Sequence, residues 1–264
     1  MADLSGYRKI SHAELDIAAF DGDPAKRWAI MQETVMSILR RYERPRVMDL
    51  AMGPGLDTFH LLELGCEVVG IDLDGHTVDR ARRRADELGL PLDARQMDWR
   101  DVASLAEFHA HPFDIVVSFG NSFPAYLHDD ADRVRTLRGL WEELAPSGTL
   151  LFDMRNGEHI LGERSAIAAD PEHAFRFERA STYLGNRAMA YPGAYLDHNI
   201  VRFIARNDVD QTYAEVDLWV ASRDDVASLI HRALGDVDYD TLMDYGPVHP
   251  GHYDFAQYIL RNPS

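Results

Sequence analysis

"VMDLAMGPGLD", Val47 to Asp57, decides the fold. It opens as a short apolar run, passes through Gly53 and Gly55, and enters a helical pattern at Asp57. A strand that feeds a glycine turn into a helix leaves the turn backbone and the helix N-terminus open to a ligand. The next strand, "EVVGIDL", ends at Asp72, 23 residues after Asp49. A carboxylate at that strand end can accept both hydroxyls of a ribose. The alternative is that the glycines only make a tight turn and Asp72 caps a helix.

The pattern extends in both directions. Upstream, "DGDPAKRWAIMQETVMSILRRY" predicts a helix with Asp23 as N-cap, Pro24 in the first helical position, and Trp28, Met31, Val35, Ile38 and Leu39 on one apolar face. Downstream, "LDTFHLLELG" and "GHTVDRARRRADELG" predict helices closing on Gly65 and Gly89. "LDARQMD" is a weaker third strand, followed by a short helix around "VASLAEFH". "FDIVVSFG" is a fourth strand, "DADRVRTLRGLWEELAPSG" a helix stopped by Pro146 and Gly148, and "TLLFDMRN" a fifth strand. Such alternation means an α/β fold, a parallel sheet with helices on both faces. Beyond about Ser165 the texture changes. "HAFRFERASTYLG", "YLDHNIVRFIAR" and "QTYAEVDLWVAS" read as strands without intervening helices, before a helix "RDDVASLIHRALG" and a last strand "HYDFAQYILR". The expectation is a core over residues 1–164 with an N-terminal lid segment. Residues 165–264 then supply antiparallel cap strands and the last strands of the core sheet.

Composition narrows the function classes. The 264 residues are 46% hydrophobic and 27% charged, an ordinary globular balance for one large domain or a domain with a cap. A formal net charge of -17 argues against nucleic acid, whose recognition relies on clustered cations. One cysteine, Cys66, rules out an intrachain disulfide, and its apolar surroundings predict a buried inert thiol. No stretch has the length and apolarity of a membrane span, and the N-terminal residues lack the apolar core of a secretory signal, so a cytoplasmic protein without a membrane partner is expected.

The glycine turn also discriminates among nucleoside ligands. A dinucleotide turn places Gly or Ala where this chain has Thr58, and Asp57 would face a pyrophosphate. An acidic neighbour suits a ligand without phosphates, such as S-adenosylmethionine. On "VMDLAMGPGLD", on "MDWRDV", and above all on "FGNSF" followed by "LLFDMRN", the chain resembles the class I S-adenosylmethionine-dependent methyltransferases, and among them the glycine N-methyltransferase family, glycine/sarcosine methyltransferases included. The resemblance covers roughly Tyr7 to Leu161 and continues only in outline beyond. It implies a Rossmann-like, mostly parallel seven-stranded sheet with a small antiparallel cap from the C-terminal half. It further implies S-adenosyl-L-methionine as donor, S-adenosyl-L-homocysteine as product, no metal, and a small-molecule methyl acceptor. It suggests a homo-oligomer, tetramer or dimer.

The resemblance also assigns residues. Asn121 faces the amino substrate and Arg155 holds its carboxylate; these two are the predicted catalytic pair. Taken on their own chemistry, Asn121 can instead satisfy loop backbone, and Arg155 can form a surface ion pair. Gly53, Gly55 and Asp72 bind the cofactor, with Ala51 and Phe119 completing the strand-end contacts. Asp98 and Trp99 match an amide–Trp pair that reads the adenine, with Asp in place of Asn; ordinary core packing is the rival for Trp99. Arg27 matches an arginine that meets the methionyl carboxylate, and Tyr7 and Phe20 fall near two tyrosines that cover the active site. Phe20 lacks the hydroxyl, which puts glycine itself as the acceptor in question. Met154 and Arg155 separate Asp153 from Asn156, which disfavours a magnesium pair, and His128-Asp129-Asp130 reads as a helix start. Alternatives to an amino-acid acceptor are a natural-product amine or hydroxyl, and a non-catalytic S-adenosylmethionine-binding protein.

Overall fold

The computed structural model describes residues 24–170, 190–206, 213–251 and 253–263. Tyr7, Phe20, the N-cap Asp23 and the strand expected at 173–185 lie outside the described residues, as does the side chain of Arg27.

The apolar face predicted upstream forms α1 (Pro24–Leu39), with Pro24 in its first position. The chain then alternates through β1 (Arg46–Asp49), α2 (Leu56–Glu63), β2 (Glu67–Asp72), α3 (Gly75–Leu88) and β3 (Asp93–Gln96). A 3-10 turn at Trp99–Ser104 and the short α4 (Ala106–Ala110) lead to β4 (Phe113–Ser118), α5 (Asp130–Glu142) and β5 (Leu144–Arg155). Two short helices follow, α6 (Gly157–Gly162) and α7 (Arg164–Ala169). The C-terminal part holds β6 (Ala190–Tyr195), β7 (Ile200–Arg206), β8 (Tyr213–Trp219), α8 (Arg223–Leu234), β9 (Tyr239–Met243) and β10 (Phe255–Arg261).

Seven strands form one sheet in the order β3-β2-β1-β4-β5-β10-β9. The first five are parallel, and β10 runs antiparallel between β5 and β9. Buried on both faces, these strands read as apolar runs, not as alternation. On one face α1 and α2 pack Met31, Val35, Phe59 and Leu61 against Val47, Val117 and Leu151. On the other, α5 and α8 set Leu137, Leu140, Val226 and Leu229 against Met48, Val116 and Phe152. β6, β7 and β8 make a separate antiparallel sheet, the expected cap. The strand order reverses direction between β1 and β4, and ligands of open α/β sheets bind outside the carboxyl ends at such a switch point.

Three local expectations needed revision. α5 stops at Glu142, and Pro146 and Gly148 lie within β5, not in a helix stop. The pairing there slips from Phe113↔Leu144 to Ile115↔Thr149, with Ser147 at φ 64, so the residue that cannot donate sits in an irregularity of the ladder. β6 carries Pro192 and Gly193, which hid it in the sequence; as an edge strand it tolerates a proline. β9 and the helices α6 and α7 also escaped sequence reading. Cys66 is buried as expected, and burial pushes its thiol up to about 11. Among the described residues no helix is long and apolar enough to cross a membrane.

Candidate active site

At the switch point, a cleft of about 580 Å³, partly open to solvent, runs along the carboxyl ends of β1 and β2. Ala51, Asp72, Asp98 and Trp99, the cofactor candidates named from the sequence, line it together with Met97 and Tyr126. Tyr126 lies on the loop after β4, five residues past Asn121, where an aromatic residue next to a glycine-asparagine strand end was the available signal.

Asp72 is positioned by backbone alone. One carboxylate oxygen accepts the Asp74 N–H at 2.9 Å and the other the Gly53 N–H at 3.1 Å. A carboxylate offers about four acceptor sites, so two remain for a pair of ligand hydroxyls. Helix capping falls to Asp74, which accepts from the Thr77 backbone, and this excludes that alternative for Asp72. Burial pushes the Asp72 carboxyl up to about 6, against the opposing pull of backbone N–H groups, those of Asp74 and Gly53 foremost. Asp49 sits deeper and is pushed up to about 7 by burial, with the Thr58 hydroxyl, 2.7 Å away, pulling it down. The threonine that breaks the dinucleotide pattern therefore serves a buried carboxylate.

The glycines act differently from one another. Gly53 has φ +53 and open space where a Cβ would stand, and its N–H holds Asp72. Gly55, at φ +92, would drive a Cβ to within 2.6 Å of the Phe59 ring, so its small size serves helix packing and the turn. Gly53 and Gly55 thus shape the cleft wall without lining the cleft. Phe119 corrects an expectation. Its ring is buried among Phe59, Leu151 and Phe255 beneath the sheet, not in the cleft, because β4 turns that side chain toward the α1–α2 face. Asp98 lines the cleft, but its carboxylate caps the 3-10 turn through the Arg100 N–H at 2.9 Å and also pairs with the Arg100 guanidinium. Little acceptor capacity is left there for an adenine amine. Trp99 both lines the cleft and meets Phe123 edge-on at 6.0 Å, so the wall and core readings of this residue hold together.

The second half of the site lies at the ends of β4 and β5, which are parallel neighbours. Asn121 adopts the left-handed conformation at φ 64, which asparagine tolerates better than most residues. Its N–H donates to Asp153 at 2.7 Å, and its Oδ1 accepts the Arg155 N–H at 2.8 Å. This reciprocal clamp joins the two strand ends. It also shows that Asn121 does satisfy backbone, with one Oδ1 lone pair left over. The Arg155 guanidinium takes part in no hydrogen bond or ion pair among the described residues. It lies 5.4 Å from the Phe255 ring centre and 5.9 Å from that of Phe203. Burial pulls its pKa down, and the nearby Asp254, Tyr126 and Asp153 push the other way. The surface ion pair weighed for Arg155 is absent among the described residues. Phe203 and Phe255 are neighbours of Arg155 that no local pattern could reveal, since β7 and β10 reach this place only through the fold.

Asp153 is fully buried against Asn121, and Asn156 caps α6 while donating to the Tyr253 carbonyl. Asp129, as read, caps α5. Among the described residues no group of three or more His, Cys, Asp or Glu side chains is placed to hold a metal.

The chain is similar to known methyltransferases. Residues 47–148 match the methyltransferase domain family. A glycine/sarcosine N-methyltransferase from Aphanothece halophytica is 28% identical over 87% of this chain and 80% of its own length. A second, from Halorhodospira halochloris, is 28% identical over 78% of this chain and 71% of its own. The crystal structure of an S-adenosylmethionine-dependent methyltransferase from Clostridium acetobutylicum superposes with a TM-score of 0.67 at 16% identity, covering 98% of this chain and 99% of the other.

Proposed function

We propose that this class I S-adenosylmethionine-dependent methyltransferase methylates the nitrogen of a small amine that carries a carboxylate, glycine or a related amino acid. One observation carries the reading: among the described residues the Arg155 guanidinium takes part in no hydrogen bond or ion pair, at the end of the strand beside β4. An arginine can grip a carboxylate through two parallel charge-assisted hydrogen bonds. The names of the two relatives support an amino-acid acceptor.

The residues present fit the donor. Asp72 keeps two acceptor sites for ribose hydroxyls, and Met97, Trp99 and Tyr126 offer apolar and aromatic walls to a nucleoside base. When bound, S-adenosylmethionine supplies a methyl group already activated by its sulfonium. The chain's own work is alignment. Arg155 fixes the acceptor's carboxylate, and the remaining Oδ1 lone pair of Asn121 accepts an amine N–H, which leaves the nitrogen lone pair free. Orientation of this kind is worth in principle up to about 7–11 kcal/mol. The Asp153–Asn121–Arg155 clamp keeps both groups in register. Incubating the protein with methyl-labelled donor and a mixed panel of amino acids, amines and hydroxy compounds tests the reading. Label in a carboxylated amine supports it. Label only in uncharged amines or hydroxyls transfers the assignment to a natural-product acceptor, and binding without transfer would make the chain a donor-binding protein.

A further inference from the structure

We infer that Phe203, carried by the three-stranded cap sheet, is a positioning residue that holds the Arg155 guanidinium and thereby sets the preference for a carboxylated acceptor. The inference rests on the reading of Arg155 given above and extends it to a part of the chain where the resemblance is weakest.

Three features carry it. The Phe203 ring is buried, and its centre lies 5.9 Å from the Arg155 guanidinium carbon, within the range where a cation is attracted to an aromatic face. The guanidinium has no hydrogen-bonding partner among the described residues; the rings of Phe203 and Phe255 are the aromatic faces beside it, and Asp254, Tyr126 and Asp153 act on it through space. Aromatic faces hold the cation without occupying its N–H donors, which leaves them all for a ligand. Finally, the cap sheet is anchored to the site. The Trp219 N–H donates to the Ala125 carbonyl at 2.7 Å, and His128 Nε2 lies 2.7 Å from the Asp217 carbonyl oxygen. Both bonds tie β8 to the loop that follows Asn121, and β8 pairs with β7 along its length. The face beside Arg155 is therefore tied by hydrogen bonds to the loop that follows Asn121.

The test compares kcat/KM for a carboxylated amine with that for the same amine lacking the carboxylate, in wild type, Phe203→Leu, Phe203→Tyr, Arg155→Ala and the double variant Phe203→Leu/Arg155→Ala. Leucine keeps apolar bulk and loses the aromatic face. The ratio of the two acceptors is expected to fall about three- to tenfold in Phe203→Leu, the size of a partly desolvated cation–aromatic contact. Phe203→Tyr, which keeps the ring, is expected to restore it. In the Arg155→Ala background Phe203→Leu is expected to change the ratio by less than about twofold, since its effect runs through the arginine. If Arg155→Ala collapses the ratio but Phe203→Leu leaves it at the wild-type value, the inference fails and the proposed function stands. An equal effect of Phe203→Leu with and without Arg155 reduces Phe203 to packing. If Arg155→Ala itself leaves the ratio unchanged, the carboxylate reading fails and takes this inference with it. Binding of S-adenosylhomocysteine to each variant reports folding, and Phe203→Met replaces the leucine variant if that one does not fold.

Discussion

The proposed donor end and the proposed acceptor end of this site are built by opposite means. At the donor end, the carboxylates of Asp49 and Asp72 are buried at the ends of adjacent strands, and the side-chain hydrogen bonds that place them come from Gly53, Thr58 and Asp74. At the acceptor end, Arg155 is held by a clamp from β4 and by rings from β7 and β10, which lie 48 and 100 residues further on. One end is local, acidic and satisfied by backbone; the other is cationic and assembled from the whole chain. Methyl transfer needs both, so substitutions at each end are expected to separate donor binding from acceptor use.

The largest separation belongs to Arg155. Arg155→Ala is expected to lower kcat/KM for a carboxylated amine by about two to three decades, the loss of two charge-assisted hydrogen bonds at the low end of their range, while the affinity for S-adenosylhomocysteine stays put. A matching loss of product affinity by calorimetry would make the two ends one. Asp72→Ala is next, and reversed. Donor and product affinity are expected to weaken together by about 10–150-fold, since both carry the ribose. Unchanged affinity in a folded variant would remove Asp72 from the donor site. Asn121→Ala is smaller, on the order of tenfold in kcat, because it leaves the Arg155 N–H without its partner and loosens the clamp. Normal turnover with weakened donor binding would assign Asn121 to the other end.

The smallest effect is pH-dependent and confined to the donor end. Asp72 must be ionised to accept two hydroxyls, so donor affinity is expected to be level above neutral pH and to fall as pH drops through about 6. Stability of the ligand-free protein runs the other way. Burial raises Asp49 to about 7 and Asp72 to about 6, above the ordinary carboxylate range, so charging them opposes folding. The melting temperature is therefore expected to rise by a few degrees between pH 8 and pH 5 as the two groups take up protons. The carboxylates held low by partners, Asp98, Asp130 and Glu158, lose their contribution only below that window. Asp49→Asn is expected to flatten the slope; an unchanged slope would show that other groups carry it.

The same contrast explains what the sequence revealed. Strand–turn–helix units are written in contiguous stretches, so β1 through β5 and the Asp72 strand end could be read directly. Where a residue's role depends on a partner elsewhere, reading was incomplete. Asp98 looked available for an adenine until Arg100, two residues on, proved to occupy it. Phe119 looked like a wall because it precedes the glycine, but strand alternation turns it into the core. β6 and β9 were hidden by Pro192 and Gly193 in one case and by a short polar run in the other. Phe203 and Phe255 carry no signal in the sequence, and only the fold brings their rings beside Arg155.

The most direct test of the central claim is the ratio of kcat/KM for a carboxylated amine over that for its decarboxylated analogue, measured with methyl-labelled donor in wild type and in Arg155→Ala. The account predicts a ratio of about 100 or more in wild type, falling to near unity in the variant through loss on the carboxylated acceptor alone. Equal losses on both acceptors, or a wild-type ratio already near unity, would contradict it.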